Sequence, residues 1–203
     1  MQEEALIASC RTGNTKAFER LVTLYEKKVF NLAFRMTGSL EDARDITQDA
    51  FIKVYTSLRD FRGDSAFSTW LFRIVSNMCL DELRRRRRRT FMSIDEPIQQ
   101  SDGEIPRQLA DPLADPEQAV ERRDLKRAVH EAILNLSEDH RLIIVLRDLQ
   151  GFTYEEIASM LDCSLGTVKS RLNRARMALR KALQDKELFA TGDVKTGERG
   201  VGR

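Results

Sequence analysis

The sequence is short of the residue types that build most small catalytic or cross-linked proteins. Its three cysteines, Cys10, Cys79 and Cys163, are dispersed over 203 residues and no two form a C-x-x-C pair. An odd, scattered set supports neither a disulfide framework nor a zinc site. Cys79 and Cys163 lie in apolar periodic segments and are expected as small core residues. The two histidines, His130 and His140, lack metal-ligand spacing, and neither a glycine-rich phosphate loop nor a G-x-S-x-G turn occurs. No metal, cofactor or catalytic nucleophile is expected, so the chain reads as a protein that is not an enzyme. No apolar run approaches the roughly 20 residues of a membrane span. The N-terminus passes through Glu3 and Glu4 without the apolar stretch of a secretory signal. The expectation is a reduced, cytoplasmic protein without direct membrane insertion. Strand patterning is also missing, since no run alternates apolar and polar residues between turn signals.

What is present is charge and helical periodicity. The total of 34 Lys/Arg against 32 Asp/Glu leaves a net charge of +2, but the charge is segregated. Residues 1–90 carry a net +5, residues 91–118 a net −6, residues 119–187 a net +2 and residues 188–203 a net +1. Two basic blocks flanking an acidic stretch suit a protein that meets polyanions with two separate pieces.

Phe18, Leu21, Val22, Tyr25, Val29, Leu32 and Met36 recur at i, i+3, i+4, i+7 and predict one long amphipathic helix ending at Gly38. Ser39, with Glu41 and Asp42 in the next turn, predicts the start of a second helix. That helix turns Ala43, Ile46, Ala50, Phe51, Val54 and Leu58 inward. A break at Asp60 to Ser65 precedes a third helix with Phe67, Leu71, Ile74, Val75 and Met78 on one face, running into Arg84 to Arg89. From about Phe91 the periodicity stops. Pro97, Pro106, Pro112, Gly103 and the carboxylates mark a flexible acidic linker over 91–116. Asp115 as N-cap, Pro116 at the first helical position and Gln118 restart helix. The fold class is therefore all-α: two small helical domains, 1–90 and 117–187, on a tether. A tail over 188–203, with four glycines in sixteen residues, is expected to be disordered.

Thr153-Tyr-Glu-Glu156 is a capping box, followed by Ile157, Ala158 and Leu161 at helical spacing. Asp162-Cys163-Ser164 makes a short turn, and a second helix buries Val168, Leu172, Ala175 and Leu179. Helix, short turn and second amphipathic helix match the helix-turn-helix, whose second helix enters the major groove. Opposite Val168 lie Lys169, Ser170, Asn173 and Arg174, with Arg171 and Arg176 nearby. These residue types suit base edges and phosphates.

The third helix has a second stripe: Arg73, Asn77, Asp81 and Arg84 fall within about 60° of Trp70 at 100° per residue. A ring beside cations suits a stacked base with neutralised phosphates; it also suits the rim of a core beside a solvated face. The six guanidinium groups of Arg84 to Arg89 are expected to resist packing and to face a polyanion. A purely solubilising run is the other reading. The second helix points Glu41, Asp45, Gln48, Asp49 and Ile52 outward. This face repels DNA, so it is either a site for a basic protein surface or an ordinary solvated face. A stand-alone regulator with a helical sensor or dimerisation domain, acting on a palindromic site, or a nucleic-acid enzyme such as a recombinase, would share the helix-turn-helix. The Trp70 stripe weighs against a ligand-sensing first domain, and the missing nucleophile against a recombinase.

Three stretches in order, DARDITQDAFIKVY, FRGDSAFSTWLFRIVSN and GFTYEEIASMLDCSLGTVKSRLNRAR, resemble the extracytoplasmic-function class of bacterial sigma factors, of the sigma-E and sigma-W type. The resemblance spans about Thr15 to Leu183. It implies a transcription initiation factor whose Asp42–Tyr55 helix docks on the β′ clamp helices of core RNA polymerase. Asp45, Gln48, Asp49 and Ile52 would be the contacts there, and the β flap would be a further polymerase partner. It implies that Phe61, Ser65, Phe67, Trp70 and Asn77 capture the melted −10 element of promoter DNA, with Arg84 and its neighbours on the adjacent backbone. Thr167, Lys169, Ser170, Arg171, Asn173 and Arg174 would read the −35 element as duplex. An acidic linker threading toward the RNA exit path is implied too, as is an anti-sigma factor that restrains the protein, in a stress or envelope response. The arginine run is longer than the family pattern, and the Gly-rich tail matches no family role.

Overall fold

The structure, a computed structural model, describes residues 2–92 and 116–184. The expected acidic linker with its Asp115 N-cap, the Gln118 side chain of the second capping box and the glycine-rich tail lie outside the residues or side chains described. Helices α1 (Gln2–Arg11), α2 (Thr15–Thr37), α3 (Leu40–Ser57) and α4 (Phe67–Met92) form the N-terminal unit, with a 3₁₀ turn, Leu58–Asp60, after α3. The C-terminal unit holds α5 (Pro116–Leu134), α6 (Glu138–Ile144) running into a π-helical turn over Val145–Leu149, α7 (Tyr154–Met160) and α8 (Leu165–Gln184). Among the described residues there is no strand, and no helix is long and apolar enough to cross a membrane.

Local chemistry sets the helix ends where the pattern places them. The Asn14 side chain accepts the Ala17 N–H at 3.2 Å and opens α2. Gly38, at φ 72°, closes it in the left-handed conformation that a Cβ disfavours, its N–H donating to the Phe34 carbonyl. Ser39 Oγ accepts the Asp42 N–H at 3.2 Å and starts α3. Helix α1 was not legible in the sequence. It is ten residues long and only weakly amphipathic, and a helix so short depends on tertiary packing. Cys10 is buried, Leu6 and Ile7 pack on the core, and the Tyr25 hydroxyl donates to Glu3 Oε2 at 2.9 Å. Helix α4 also continues past the expected end of periodicity, to Met92.

Leu21, Val29, Leu32 and Met36 of α2 meet Ala43, Ala50 and Val54 of α3 and Leu71 and Val75 of α4, all fully buried. In the second unit Ile143, Val145 and Leu146 pack with Ile157, Val168 and Ala175. The sequence suggested two domains with separate cores; the structure joins them into one continuous buried cluster. Phe72 of α4 meets Phe152, just before α7, edge to face at 4.8 Å. The Phe34 ring stacks on His130 of α5 at 4.7 Å. Arg141 of α6 donates to the Met36 carbonyl of α2 while also holding the Leu134 and Leu136 carbonyls of its own unit. Phe34 and Phe72 lie beside, not on, the main apolar stripes of their helices, so periodicity gave them no partner.

Gly38 serves this junction twice, because a Cβ there would sit 2.9 Å from a Leu134 methyl across the interface. That methyl can swing away, so the backbone term dominates. Gly38→Ala is expected to lower stability by about 1–2 kcal/mol, the cost of a non-glycine residue in this conformation, read as a shift of the urea midpoint at unchanged slope.

His130 is 5% exposed, and its Nδ1 lies 3.3 Å from Arg35 Nη1. A guanidinium only donates, so Nδ1 is the acceptor and the ring is neutral. Burial above all, then the Arg35 charge, lowers its pKa to about 4; Glu131 opposes and Arg141 reinforces the shift. The unfolded chain therefore takes the proton first, below about pH 6.5. Stability from this group is complete above that pH and is lost as pH falls toward 4, by at most about 3 kcal/mol. His130→Phe, which retains the stack on Phe34, is expected to lose less thermal stability than the parent between about pH 7 and pH 4.5; parallel melting curves would contradict this.

Candidate nucleic-acid interface

The helix-turn-helix is assembled as the sequence indicates. Thr153 Oγ1 accepts the Glu156 N–H at 3.1 Å and Glu156 Oε2 accepts the Thr153 N–H at 2.7 Å, completing the capping box of α7. Arg147 holds the loop before it, donating to the Phe152 carbonyl at 2.7 Å and lying 4.7 Å over the Tyr154 ring. The turn passes through Asp162 at φ 48°, a left-handed conformation that aspartate tolerates. Ser164 Oγ then accepts the Thr167 N–H at 3.1 Å and caps α8. Val168, Leu172 and Ala175 are buried against α7 and α6, with Leu179 only half-buried. Lys169, Ser170, Asn173 and Arg174 stand exposed on one side, with Arg171 and Thr167 half-buried at its margin. Arg176 is tied to Asp148, its Nε donating at 3.1 Å, a bond that raises the arginine pKa. Cys163, expected in the core, is only partly buried in the turn.

The loop after α3 and the start of α4 gather an aromatic cluster. Phe61 and Trp70 are 5.0 Å apart, Phe67 lies 5.8 Å from each, and Tyr25 meets Phe67 at 5.5 Å. Phe61 and Phe67, both expected at a captured base, are buried at 8% and 3% exposure. They form a floor, and neither offers a free face. Trp70 is half-buried above them, and Ser65, Asn77 and Arg84 are accessible. The Trp70 stripe is thus the rim of a core and an accessible polar face together. Tyr25, missed as a site residue because it counted as core, braces this floor. Burial, with its bond to Glu3, pushes the Tyr25 hydroxyl well above its ordinary pKa.

On α3, Asp45, Gln48, Asp49 and Ile52 are exposed together, Ile52 at 54%. Beside them runs an apolar groove of about 930 Å³, lined by Phe18, Val22, Phe30, Phe51, Ile52 and Tyr55 and edged by Gln48. Phe18 and Val22 were assigned to the core by their spacing. Instead they form its outer wall, with Phe18 edge-on to Tyr55 at 4.9 Å. Periodicity records that a residue is apolar, not whether a neighbouring helix covers it.

The arginine run is the largest correction to the sequence reading. Arg84 pairs with Asp81 at 3.1 Å, Arg85 with Glu82, Arg86 with Asp42 and Glu82, and Arg87 with Glu138 of the other unit at 3.4 Å. Arg86 also donates to the Thr37 carbonyl at 3.5 Å, and burial lowers its pKa. A run expected to resist packing is therefore partly structural, because helical spacing brings Asp81 and Glu82 beneath it and topology adds Asp42 and Glu138.

Residues 21–89 match the family described as Sigma-70 region 2, and residues 126–179 match Sigma-70, region 4. The chain is 40% identical over 186 residues to the RNA polymerase sigma-H factor of Pseudomonas aeruginosa, covering 90% of this chain and 94% of that one. It is 40% identical over 184 residues to the ECF RNA polymerase sigma-E factor of Escherichia coli K12, covering 91% and 95%. The sigma factor RpoE of Bartonella quintana, solved in complex with the anti-sigma factor NepR, superposes with a TM-score of 0.65 at 27% identity, covering 83% of this chain and 98% of that one. The first matched region holds the α3 face and the Trp70 stripe, the second holds the helix-turn-helix, and the relatives extend through nearly the whole chain: the protein belongs to the ECF family of RNA polymerase sigma factors.

Proposed function

We propose that the protein is a promoter-specificity subunit that binds core RNA polymerase through α3, reads the −35 element through α8 and holds the melted −10 element at the start of α4. The observation that carries this is the division of exposed chemistry between the two family regions. An acidic-amide face beside an apolar groove lies on one side of region 2, an accessible Trp70–Asn77–Arg84 stripe on another, and a cationic helix on region 4. Asp45, Gln48 and Asp49 suit a basic protein surface, and the groove at Ile52 and Tyr55 supplies apolar area beside them. Lys169, Ser170, Asn173 and Arg174 suit base edges and phosphates in the major groove. The buried Phe61 and Phe67 act by fixing Trp70, on which an unstacked base can lie.

No bond is made or broken in this role, and no catalytic group, metal or cofactor is assigned. Melting is driven by capture: holding a flipped base offsets an unstacking cost of a few kcal/mol. The protein works in the cytoplasm with polymerase, and an anti-sigma factor restrains it, a reading supported by the solved relative bound to NepR.

Run-off transcription with purified core polymerase on promoter fragments tests the whole reading. Strong duplex binding by the chain alone, with no core complex, would overturn it. Asp49→Arg is expected to weaken core binding at least ~10-fold by placing a cation against a cationic surface. Lys169→Ala should leave core binding intact and cost about 1–3 kcal/mol of −35 recognition. Trp70→Ala should spare both and lose about 1–3 kcal/mol of stacking, seen as reduced permanganate reactivity of −10 thymines.

A further inference from the structure

Trp70 stands on Phe61 and Phe67, and that support is tied to the first turn of α1. Phe67 is the first residue of α4, and Trp70 follows it by one turn on the same face. Whatever sets Phe67 therefore sets both the ring beneath Trp70 and the point where α4 begins. Phe67 is 3% exposed and meets Tyr25 of α2 at 5.5 Å, with 63° between the ring planes. This edge-to-face arrangement depends on the tilt of the tyrosine. The tilt is fixed at the far end of the ring, where the hydroxyl donates to Glu3 Oε2 at 2.9 Å.

The hydroxyl is the feature that packing does not explain. A phenylalanine would fill the same space against Phe67 and leave no polar atom to satisfy. The tyrosine instead makes one charge-assisted bond. Burial, reinforced by Glu3, keeps its hydroxyl protonated and donating. Helix α1 also lies against the 3₁₀ turn that precedes Phe61. Both rings under Trp70 are thus reached from one ten-residue helix, which carries none of the faces assigned above to polymerase or DNA.

On the −10 assignment proposed above, we infer that Glu3 and Tyr25 are positioning residues for promoter opening: the α1 carboxylate sets the Tyr25 ring, that ring sets Phe67, and Phe67 fixes where Trp70 meets an unstacked base. Tyr25 is 7% exposed and acts only through Phe67. The chain of contacts pre-organises the platform, so a captured base does not have to order its own support. Loss of the Glu3 bond therefore acts at the melting step and leaves the faces of α3 and α8 as they were.

Full-length variants in holoenzyme separate this role from a merely structural brace. Tyr25→Phe keeps the ring and removes the hydroxyl. It should slow permanganate-detected opening of −10 thymines by about 3–10-fold, the effect of one lost hydrogen bond. Core binding and binding of a −35 duplex, which use distant faces, should stay within about 2-fold of the parent. Glu3→Ala should match Tyr25→Phe, and the double variant should lose no more than either alone. Glu3→Gln, which keeps a carbonyl acceptor, should restore most of the opening rate.

Trp70 is the single tryptophan of the chain, so its fluorescence reads the platform in the free protein without reference to any promoter. Tyr25→Phe and Glu3→Ala should each make it more accessible to acrylamide, and Glu3→Gln should not. Unchanged quenching in the first two, an opening rate equal to the parent, or equal losses of opening, core binding and −35 binding would overturn the inference. Losses that multiply in the double variant would do the same, since the two residues would then act independently. If Tyr25→Phe does not fold, the contrast between Glu3→Ala and Glu3→Gln decides. If the parent holoenzyme opens no −10 thymines while the variants still loosen Trp70, the −10 assignment has failed and the role in opening falls with it, whereas the brace from Glu3 to Trp70 stands.

Discussion

The structure depends on how the C-terminal end of α2 is satisfied. A helix leaves its last carbonyls without intrahelical partners, and here the Gly38 cap and two arginines from far along the chain meet them. The Gly38 N–H takes the Phe34 carbonyl, Arg141 takes that of Met36, and Arg86 reaches that of Thr37 at 3.5 Å. Two guanidinium groups therefore stand at the negative end of one long helix, where cations are favoured. One comes from the arginine run of α4 and the other from the opposite unit. Gly38 makes the junction possible by turning the chain in a left-handed conformation and leaving room for Leu134. The same point thus starts α3, anchors α4 and seats the C-terminal unit.

This junction gives two kinds of arginine different work. Arg86 and Arg141 are drawn into the fold, and burial lowers the pKa of both, though a guanidinium keeps its charge. Arg174 and Arg180 remain exposed on α8, with their charge available to a polyanion. The two sets are indistinguishable by residue type. What separates them is whether a carboxylate or a helix end lies within reach once the chain has folded.

The two proposed DNA surfaces are built by opposite means. On α8, function lies in side chains that project from a rigid, well-capped helix, so positions on the outer face can change without disturbing Val168 or Leu172 beneath. At the start of α4 the reading group is itself part of the packing. Trp70 rests on Phe61 and Phe67, and Phe67 rests on Tyr25, which is held by Glu3. A change in any of these moves the others. A helix-turn-helix can therefore be read off a sequence by its caps and spacing, whereas the platform requires knowing which rings meet.

Local chemistry in the sequence settled a good deal. The Gly38–Ser39 junction, the capping box at Thr153 and Glu156, the inward sets of α3 and α8 and the exposed Asp45–Gln48–Asp49 face all stand where pattern places them, because caps and 3.6-residue periodicity act over a few neighbouring residues. Helix α1 escaped, since ten weakly amphipathic residues become helical through contact with α2. The groove beside Ile52 escaped because Phe18 and Val22 have core spacing but no covering helix. The pairings of Arg86 with Asp42 and of Arg87 with Glu138, and the Phe72–Phe152 contact, escaped because each joins residues 44 to 80 positions apart, and no local pattern encodes which distant surfaces meet. Identity of the capped, strongly periodic helices belonged to the sequence; the formation of α1, and which rings, arginines and apolar side chains beside the main stripes would be buried, were decided only by tertiary packing.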